Sequence, residues 1–149
     1  MNRSVALALR FAWLLAAACL VAPSAVRAGD AKPGANEDVP KPDKDGWYSL
    51  FNGKDFTGWK FAEENKETFK VEGGEIVAHG PACHIFYDGP VHKGRFKNFE
   101  LKADVLTKPK SNGGIYFHTK YQKESWPHHG IEVQINNTHP DPRKTGSLY

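Results

Sequence analysis

The sequence predicts an all-β fold, built as an antiparallel two-sheet sandwich. Two observations predict it. Apolar and polar residues alternate with period two in three segments, and no stretch of ten or more residues after position 28 has helical periodicity. Short segments of this kind, separated by Gly- and Pro-rich turns, are typical of β-sandwiches.

The three alternating segments run from 99 to 106, from 115 to 118 and from 131 to 136. Because successive side chains of a strand point to opposite faces, each segment has one apolar and one polar face. We expect the polar residues on one side of the sheet: Glu100, Lys102, Asp104, Tyr116, His118, Glu132, Gln134 and Asn136. We expect the apolar neighbours Ile115, Phe117, Ile131 and Val133 to be sealed in the core.

Shorter strands are predicted at 47–51, 68–71 and 75–78, with Gly73-Gly74 as the tight turn between the last two. Residues 145–149 have the pattern of a further strand, which would lack a neighbour on its outer side. We therefore expect a sandwich that is incomplete at its C-terminal end.

The first 28 residues have the composition of a secretory signal peptide. They hold three arginines and no acid, an apolar run at 11–22 and the small-residue end Val26-Arg27-Ala28. The apolar run is too short to span a bilayer. We expect cleavage near Gly29 and export to the periplasm or the medium. Lipidation at Cys19 is the less favoured alternative, because the residues before it lack the expected large aliphatic side chain.

The charge balance argues against two classes of partner. The formal net charge of the chain is +3, and the three arginines of the leader account for all of it. The remaining chain is neutral, which removes the composition argument for nucleic acid or an anionic membrane surface.

Residues 29–45 are rich in Pro, Gly and charge and are predicted to form a flexible linker, so the folded domain covers 46–149. Outside the leader, Cys83 is the single cysteine, and one thiol forms no internal disulfide.

The polar faces of the second and third segments favour a binding site for a ligand with many hydroxyl groups. Tyr116, His118, Glu132 and Gln134 form directional hydrogen bonds. For the first segment, an ordinary solvated face is the favoured interpretation. Trp126, in a loop with turn chemistry, adds an aromatic face that can stack on a sugar ring.

A metal site is not predicted. His128 and His129 are adjacent and would point apart on a strand, and neither a His-Glu-x-x-His helix nor a cysteine pair is present. We expect no cofactor, although a hard divalent ion held by oxygen ligands stays open. Asn136-Asn137-Thr138 matches the N-glycosylation triplet.

Four blocks, in order along the chain, resemble the 3-keto-disaccharide hydrolase domain family. They are Ser49–Trp59 (SLFNGKDFTGW), Asn98–Leu101 (NFEL), Asn112–Phe117 (NGGIYF), and Gly130–Ile135 (GIEVQI) with the end Thr145–Tyr149 (TGSLY). The resemblance spans Gly46 to Tyr149 and implies a concanavalin-like jelly roll. His118, Gly113 and Asn137 depart from the residues common in the family, which marks either a subgroup with another substrate or one without the activity.

The resemblance implies cleavage of a glycosidic bond in a sugar already oxidised to a ketone at carbon 3. A base removes the acidic hydrogen on carbon 2, the resulting enolate expels the group on carbon 1, and water adds. We assign Glu132 as the base and His118 as the alternative base or the acid. Lys144 is the candidate stabiliser of the enolate. The candidate substrate-binding residues are Tyr116, Gln134, Asn112, Trp126 and Tyr149.

The implied partner is an oligosaccharide or glycoside, supplied by an upstream sugar 3-dehydrogenase. Two alternatives stay open. A non-catalytic, lectin-like module would use the same polar face without a base, and an exported scaffold would be marked by an exposed apolar patch.

Overall fold

The computed structural model describes residues 3–7 and 39–149. The described residues form strands and two short 3₁₀ turns and contain no α-helix, which confirms the all-β expectation. The strands are β1 Arg3–Leu7, β2 Trp59–Phe61, β3 Phe69–Glu72, β4 Glu75–Ala78, β5 Ile85–Tyr87, β6 Phe99–Ala103, β7 Gly113–Phe117 and β8 Ile131–Ile135. Neither helical turn of this part of the chain is long or apolar enough to cross a membrane.

Of the predicted leader, residues 3–7 form β1, and residues 8–28 lie outside the described residues, as does the predicted linker up to residue 38. The last residues of that linker are described. Asp43 Oδ1 accepts a hydrogen bond from the backbone N–H of Trp47 at 2.9 Å, which forms a turn at the entry to the domain.

The strands pair two by two, and three of the four described pairs are antiparallel: β2 with β5, β3 with β4, and β7 with β8. β1 runs parallel to β6. The predicted turn between β3 and β4 is confirmed, because Gly73 and Gly74 both have positive φ, 59° and 85°, as a two-residue hairpin turn requires. This antiparallel all-β arrangement is consistent with a β-sandwich.

The strands β2 and β5 are not predicted by the sequence, because they have three residues each and are too short to show alternation. The strand predicted at 47–51 is wrong, since only Tyr48 in that segment makes a bridge. The predicted extension of β6 to residue 106 is also wrong, because the strand ends at Ala103. Val105 and Leu106 are exposed beyond it.

The first family-like block folds as a loop held by its own hydrogen bonds. Asn52 Oδ1 accepts from two following backbone N–H groups, and Asp55 Oδ1 accepts from the N–H of Thr57 at 2.9 Å. The hydrogen bonds from Thr57 and Asn52 lower the pKa of Asp55 to about 2. The indole N–H of Trp59 donates to the carbonyl of Leu50 at 2.9 Å and closes the loop onto β2. This block therefore has a structural function in the fold.

A chain of aromatic rings connects the strand pairs. Trp59 of β2 packs edge-on against Tyr87 of β5, with ring centroids 5.5 Å apart. Phe96 lies 6.0 Å from Tyr87 and 5.9 Å from Phe99 of β6, and Phe99 lies 6.1 Å from Phe117 of β7. Aromatic pairs at such distances add to the stabilisation from burial alone. These rings fix the position of β7, and with it the polar face of β7 and β8.

Contrary to the expectation, the polar face of β8 is more deeply buried than its apolar residue Ile131. Glu132, Gln134 and Asn136 are only 8%, 3% and 0% exposed, whereas Ile131 is 38% exposed. The expectation that Ile131 is sealed in the core is wrong. The other three apolar residues expected there are half-buried: Ile115, Phe117 and Val133. The polar side chains are buried because each has hydrogen-bonding partners that cover it.

The segment at residues 147–149, where the sequence predicts a further strand over 145–149, pairs with β8 on the edge opposite β7. The N–H of Gln134 donates to the carbonyl of Ser147 at 2.9 Å, and the N–H of Tyr149 donates to the carbonyl of Glu132 at 3.1 Å. Val133 and Leu148 form the bridge between these bonds.

The side chain of Asn136 holds the loop at 137–145 from inside. Its Nδ2 donates to the carbonyls of Asp141 and Arg143 at 3.1 and 2.8 Å, and its Oδ1 accepts from the N–H of His139 at 2.9 Å. Asn136 is fully buried. The acceptor of the predicted glycosylation triplet is therefore inaccessible in the folded chain.

We predict that Asn136→Ala destabilises the domain by about 1–3 kcal/mol, because it leaves two carbonyl groups and one N–H without their partner. Urea unfolding followed by tryptophan fluorescence measures the loss. The matched control is Asn137→Ala, since Asn137 is exposed and its hydrogen bonds to Thr107 and Thr145 lie at the surface. Equal losses in the two variants would contradict the structural role of Asn136.

Candidate functional site

The candidate site is the polar face of β7 and β8. The register places Tyr116 opposite Glu132 and Gly114 opposite Gln134. Directly opposed residues and residues two apart on one strand share a face. The hydroxyl of Tyr116 donates to Glu132 Oε2 at 2.8 Å. The structure thus brings together Tyr116, Glu132 and Gln134, three of the residues singled out in the sequence.

Gly114 leaves the space that the Glu132 side chain occupies. A Cβ atom at Gly114 would overlap the Glu132 carboxylate and lie 2.6 Å from its Cγ, whereas a Cβ at Gly113 would meet nothing within 4 Å. Any side chain at position 114 would therefore displace the carboxylate.

Gln134 is held by Asn112, because Gln134 Nε2 donates to Asn112 Oδ1. Gln134 is buried, while Asn112 is exposed at the start of β7. This pair places the Asn112 amide at the edge of the site.

His84, which no sequence pattern indicates, also borders this face. Its ring lies edge-on to Tyr116, with centroids 6.0 Å apart, and edge-on to Trp126, with centroids 5.1 Å apart. Its Nδ1 is buried without a hydrogen-bond partner. Burial lowers the pKa of His84, against the opposing effect of Glu64 and Glu132. No periodic pattern marks His84 in the sequence, and only its tertiary contacts reveal it.

The loop that carries Trp126 is held by two side chains, Gln122 and Glu64. Gln122 Nε2 donates to the carbonyl of Trp126 at 2.9 Å, and Gln122 Oε1 accepts from the N–H of His128 at 2.6 Å. Glu64 Oε1 accepts a further backbone N–H of this loop at 2.8 Å. Trp126 is 59% exposed, so its ring contacts His84 and keeps much of its surface open to a ligand.

Two of the predicted site residues lie elsewhere. His118 has φ of 55°, which ends the alternation of β7. Its ring turns to Phe99 and Phe117, with centroids 5.9 and 5.5 Å away. Lys144 Nζ donates to the carbonyls of His139 and Asp141 and so belongs to the 137–145 loop. Among the contacts of the described residues, neither group forms a hydrogen bond or a ring contact with Glu132.

Tyr149 lies beside Glu132, because the two residues exchange both backbone hydrogen bonds, at 3.1 and 3.4 Å. Such a pair is directly opposed, with both side chains on one face. The guanidinium of Arg143 stacks on the Tyr149 ring, 3.8 Å from its centroid, and pairs with Asp141 at 2.9 Å. Arg143 is a second residue near the site that no sequence pattern indicates.

The electrostatics of the face keep the Tyr116 phenol beside Glu132 protonated. Burial, with the hydrogen bond and the charge of Glu132, raises the pKa of Tyr116 to about 12, so its hydroxyl stays protonated. The described residues hold no group of three His, Cys, Asp or Glu that could bind a metal ion. The Glu132 carboxylate can accept a proton while the protonated Tyr116 hydroxyl donates a hydrogen bond to it.

We predict that Gly114→Ala disrupts the Tyr116–Glu132 pair, whereas Gly113→Ala does not, because only the first Cβ meets Glu132. Overpacking of this kind costs typically about 1–3 kcal/mol. Thermal unfolding of the two variants measures the difference, and equal midpoints would show that Gly114 makes no room for Glu132.

We predict that stability falls more steeply below pH 6.5 in the wild type than in His84→Gln. Since the folded state holds the pKa of His84 below its ordinary value of 6.5, the unfolded state binds the proton first as the pH falls. The stabilisation that neutral His84 contributes to the folded state is complete above pH 6.5. It is lost as the pH falls through the pKa that His84 has in the folded state. Urea unfolding at pH 7.5 and pH 5 measures it. His79→Gln, an exposed histidine, is the control, and identical slopes in all three proteins would refute the burial effect.

Comparison with known proteins agrees with the resemblance seen in the residues. Residues 46–149 match a family model described as a 3-keto-alpha-glucoside-1,2-lyase-like domain. Over 81 residues the chain is 31% identical to a protein of Bacteroides thetaiotaomicron named 3-keto-disaccharide hydrolase. That match covers 50% of this chain and 28% of the relative, so the chain spans less than a third of the relative's length.

No solved structure matches the chain. The family model, however, extends through the loop of the first block, through β7 and β8 and to the paired segment at the end, which is more than half of the sequence. On that coverage the chain belongs to the 3-keto-alpha-glucoside-1,2-lyase-like domain family.

Proposed function

We propose that this chain is an exported carbohydrate-active domain that cleaves the glycosidic bond of 3-keto-glycosides. One observation carries the proposal: a nearly buried carboxylate, Glu132, accepts the Tyr116 hydroxyl at 2.8 Å on the face bordered by the exposed ring of Trp126. Family membership and the name of the Bacteroides relative support a 3-keto sugar as the substrate class.

In the first step, the Glu132 carboxylate takes the hydrogen from carbon 2 of the bound sugar. The electron pair of that C–H bond forms a double bond between carbons 2 and 3, and the ketone oxygen takes the negative charge. Tyr116 stays protonated because its pKa is raised to about 12, so it orients the carboxylate and does not compete for the proton.

In the second step, the enolate collapses to the ketone, a double bond forms between carbons 1 and 2, and the bond from carbon 1 to the leaving oxygen breaks. The leaving oxygen takes a proton, and the proton held by Glu132 after the first step is the nearest supply. Addition of water across the new double bond completes hydrolysis. This route differs from the two-carboxylate glycosidases, which form an oxocarbenium-like state.

The rest of the face suits sugar binding. The open ring of Trp126 would stack on the apolar side of a sugar. The Asn112 amide, positioned by Gln134, and the Tyr149 ring beside Glu132 would contact hydroxyl groups. We assign no cofactor, because a carboxylate and neutral donors supply each step. We also propose that the β-sandwich has the topology of a concanavalin-like jelly roll.

The substrate chemistry places this domain after an oxidation. A sugar 3-dehydrogenase would convert the hydroxyl on carbon 3 to the ketone before cleavage. The N-terminal leader supports export, with cleavage near Gly29, which would also remove β1 from its place beside β6.

We predict that Glu132→Gln lowers turnover of a chromogenic aryl 3-keto-glucoside by about 10²–10⁴-fold, the usual contribution of a general base. The amide keeps an acceptor for the Tyr116 hydroxyl, so the fold is retained. Release of the aryl group by the full chain measures turnover. Glu72→Gln, an exposed carboxylate at the end of β3, is the matched control.

Unchanged turnover in Glu132→Gln would remove Glu132 from the mechanism. Wild-type protein that binds the glycoside and releases no product over long incubation would reject the enzyme and favour a lectin-like module.

A further inference from the structure

We infer that His84 is a further catalytic residue of the proposed reaction and donates a hydrogen bond from Nε2 to the ketone oxygen as it becomes an enolate. The inference rests on the proposed function, because it names the group that stabilises the charge that Glu132 creates. The assignment moves this role away from Lys144, which is bound within the 137–145 loop.

His84 has the right position for this role. Its ring contacts Tyr116 and Trp126, with centroids 6.0 and 5.1 Å away, and Tyr116 is hydrogen-bonded to Glu132. The imidazole and the carboxylate thus border the same phenol ring. A sugar ring stacked on Trp126 would therefore lie near both His84 and Glu132.

The burial of the two ring nitrogens selects the tautomer. Nδ1 is buried and lacks a hydrogen-bonding partner. Nε2 is not left in this condition. An orphaned buried N–H is rarer and more costly than an unused lone pair. The proton of the neutral ring therefore belongs on Nε2, which makes His84 a donor at that nitrogen.

A neutral imidazole suits this role better than a charged one. A charged His84 would form an ion pair with the nearby carboxylate and weaken Glu132 as a base. Two carboxylates, Glu64 and Glu132, act on His84 and favour the charged form, but its burial outweighs them and lowers its pKa. A neutral N–H donor aimed at a developing enolate stabilises the transition state without taking up the proton.

The test separates the enolate step from cleavage. A 3-keto-1,5-anhydro sugar has the ketone but no leaving group on carbon 1, so only exchange of the hydrogen on carbon 2 with D₂O can occur. The full chain is incubated with this compound, and the loss of the carbon 2 proton signal is followed by NMR. The aryl 3-keto-glucoside assay is run in parallel.

We expect His84→Phe to slow exchange by about 10²–10³-fold, the usual effect of removing one oxyanion donor. The phenyl ring keeps the contacts with Tyr116 and Trp126, so KM should change little. His84→Gln, whose amide is also a donor, should recover part of the rate. His79→Gln, an exposed histidine, should exchange at the wild-type rate.

Each outcome decides one question. Wild-type protein that exchanges no deuterium and cleaves no glycoside would end the proposed function itself. Wild-type exchange with an equal rate in His84→Phe, or a loss that lies only in KM, would overturn the role of His84 and leave the proposed function standing. If His84→Phe fails to fold, as judged by circular dichroism, the exchange rate of His84→Gln decides the question. An exchange rate in His84→Gln no higher than that of Glu132→Gln would contradict the donor role.

Discussion

The hydrogen bond between Tyr116 and Glu132 is the interaction on which the rest of the site depends. It joins β7 to β8 on their polar face at 2.8 Å. It exists because Gly114, two residues before Tyr116, leaves the carboxylate its space. A carboxylate with 8% exposure would be costly without such a donor, because a buried charge needs a partner. The bond therefore permits the burial and fixes the direction of the carboxylate.

The need of a buried polar group for a hydrogen-bonding partner also explains why the polar face of β8 is more deeply buried than its apolar residue Ile131. Glu132, Gln134 and Asn136 each have partners that enclose them: the Tyr116 hydroxyl, the Asn112 amide, and the backbone of the 137–145 loop. Each bond offsets the loss of water that burial imposes. The fold thus uses polar contacts where a sandwich usually uses apolar ones, and the apolar residue Ile131 is left partly exposed.

A face of this kind suits carbanion chemistry better than oxocarbenium chemistry. A pair of facing carboxylates is the mark of ordinary glycoside hydrolysis, whereas here one carboxylate lies among a phenol, an imidazole and an indole. Burial raises the pKa of the phenol and lowers that of the imidazole. Both groups are therefore neutral hydrogen-bond donors at physiological pH.

The sequence by itself determined the all-β class, the strands β6, β7 and β8, the hairpin turn at Gly73-Gly74 and the shared face of Tyr116, Glu132 and Gln134. These follow from period-two alternation and from turn chemistry, which act between residues close in the chain. Strands of three residues, such as β2 and β5, were missed because so few residues cannot show a period.

Only the tertiary structure decided which side chains enter the site. The positive φ of His118 breaks the alternation and turns its ring to Phe99, which no pattern of residue types reveals. His84 comes to the site from a segment more than 30 residues before Tyr116 in the chain. Contacts between distant segments depend on packing and on the conformation of single backbone residues, and neither leaves a local signal in the sequence.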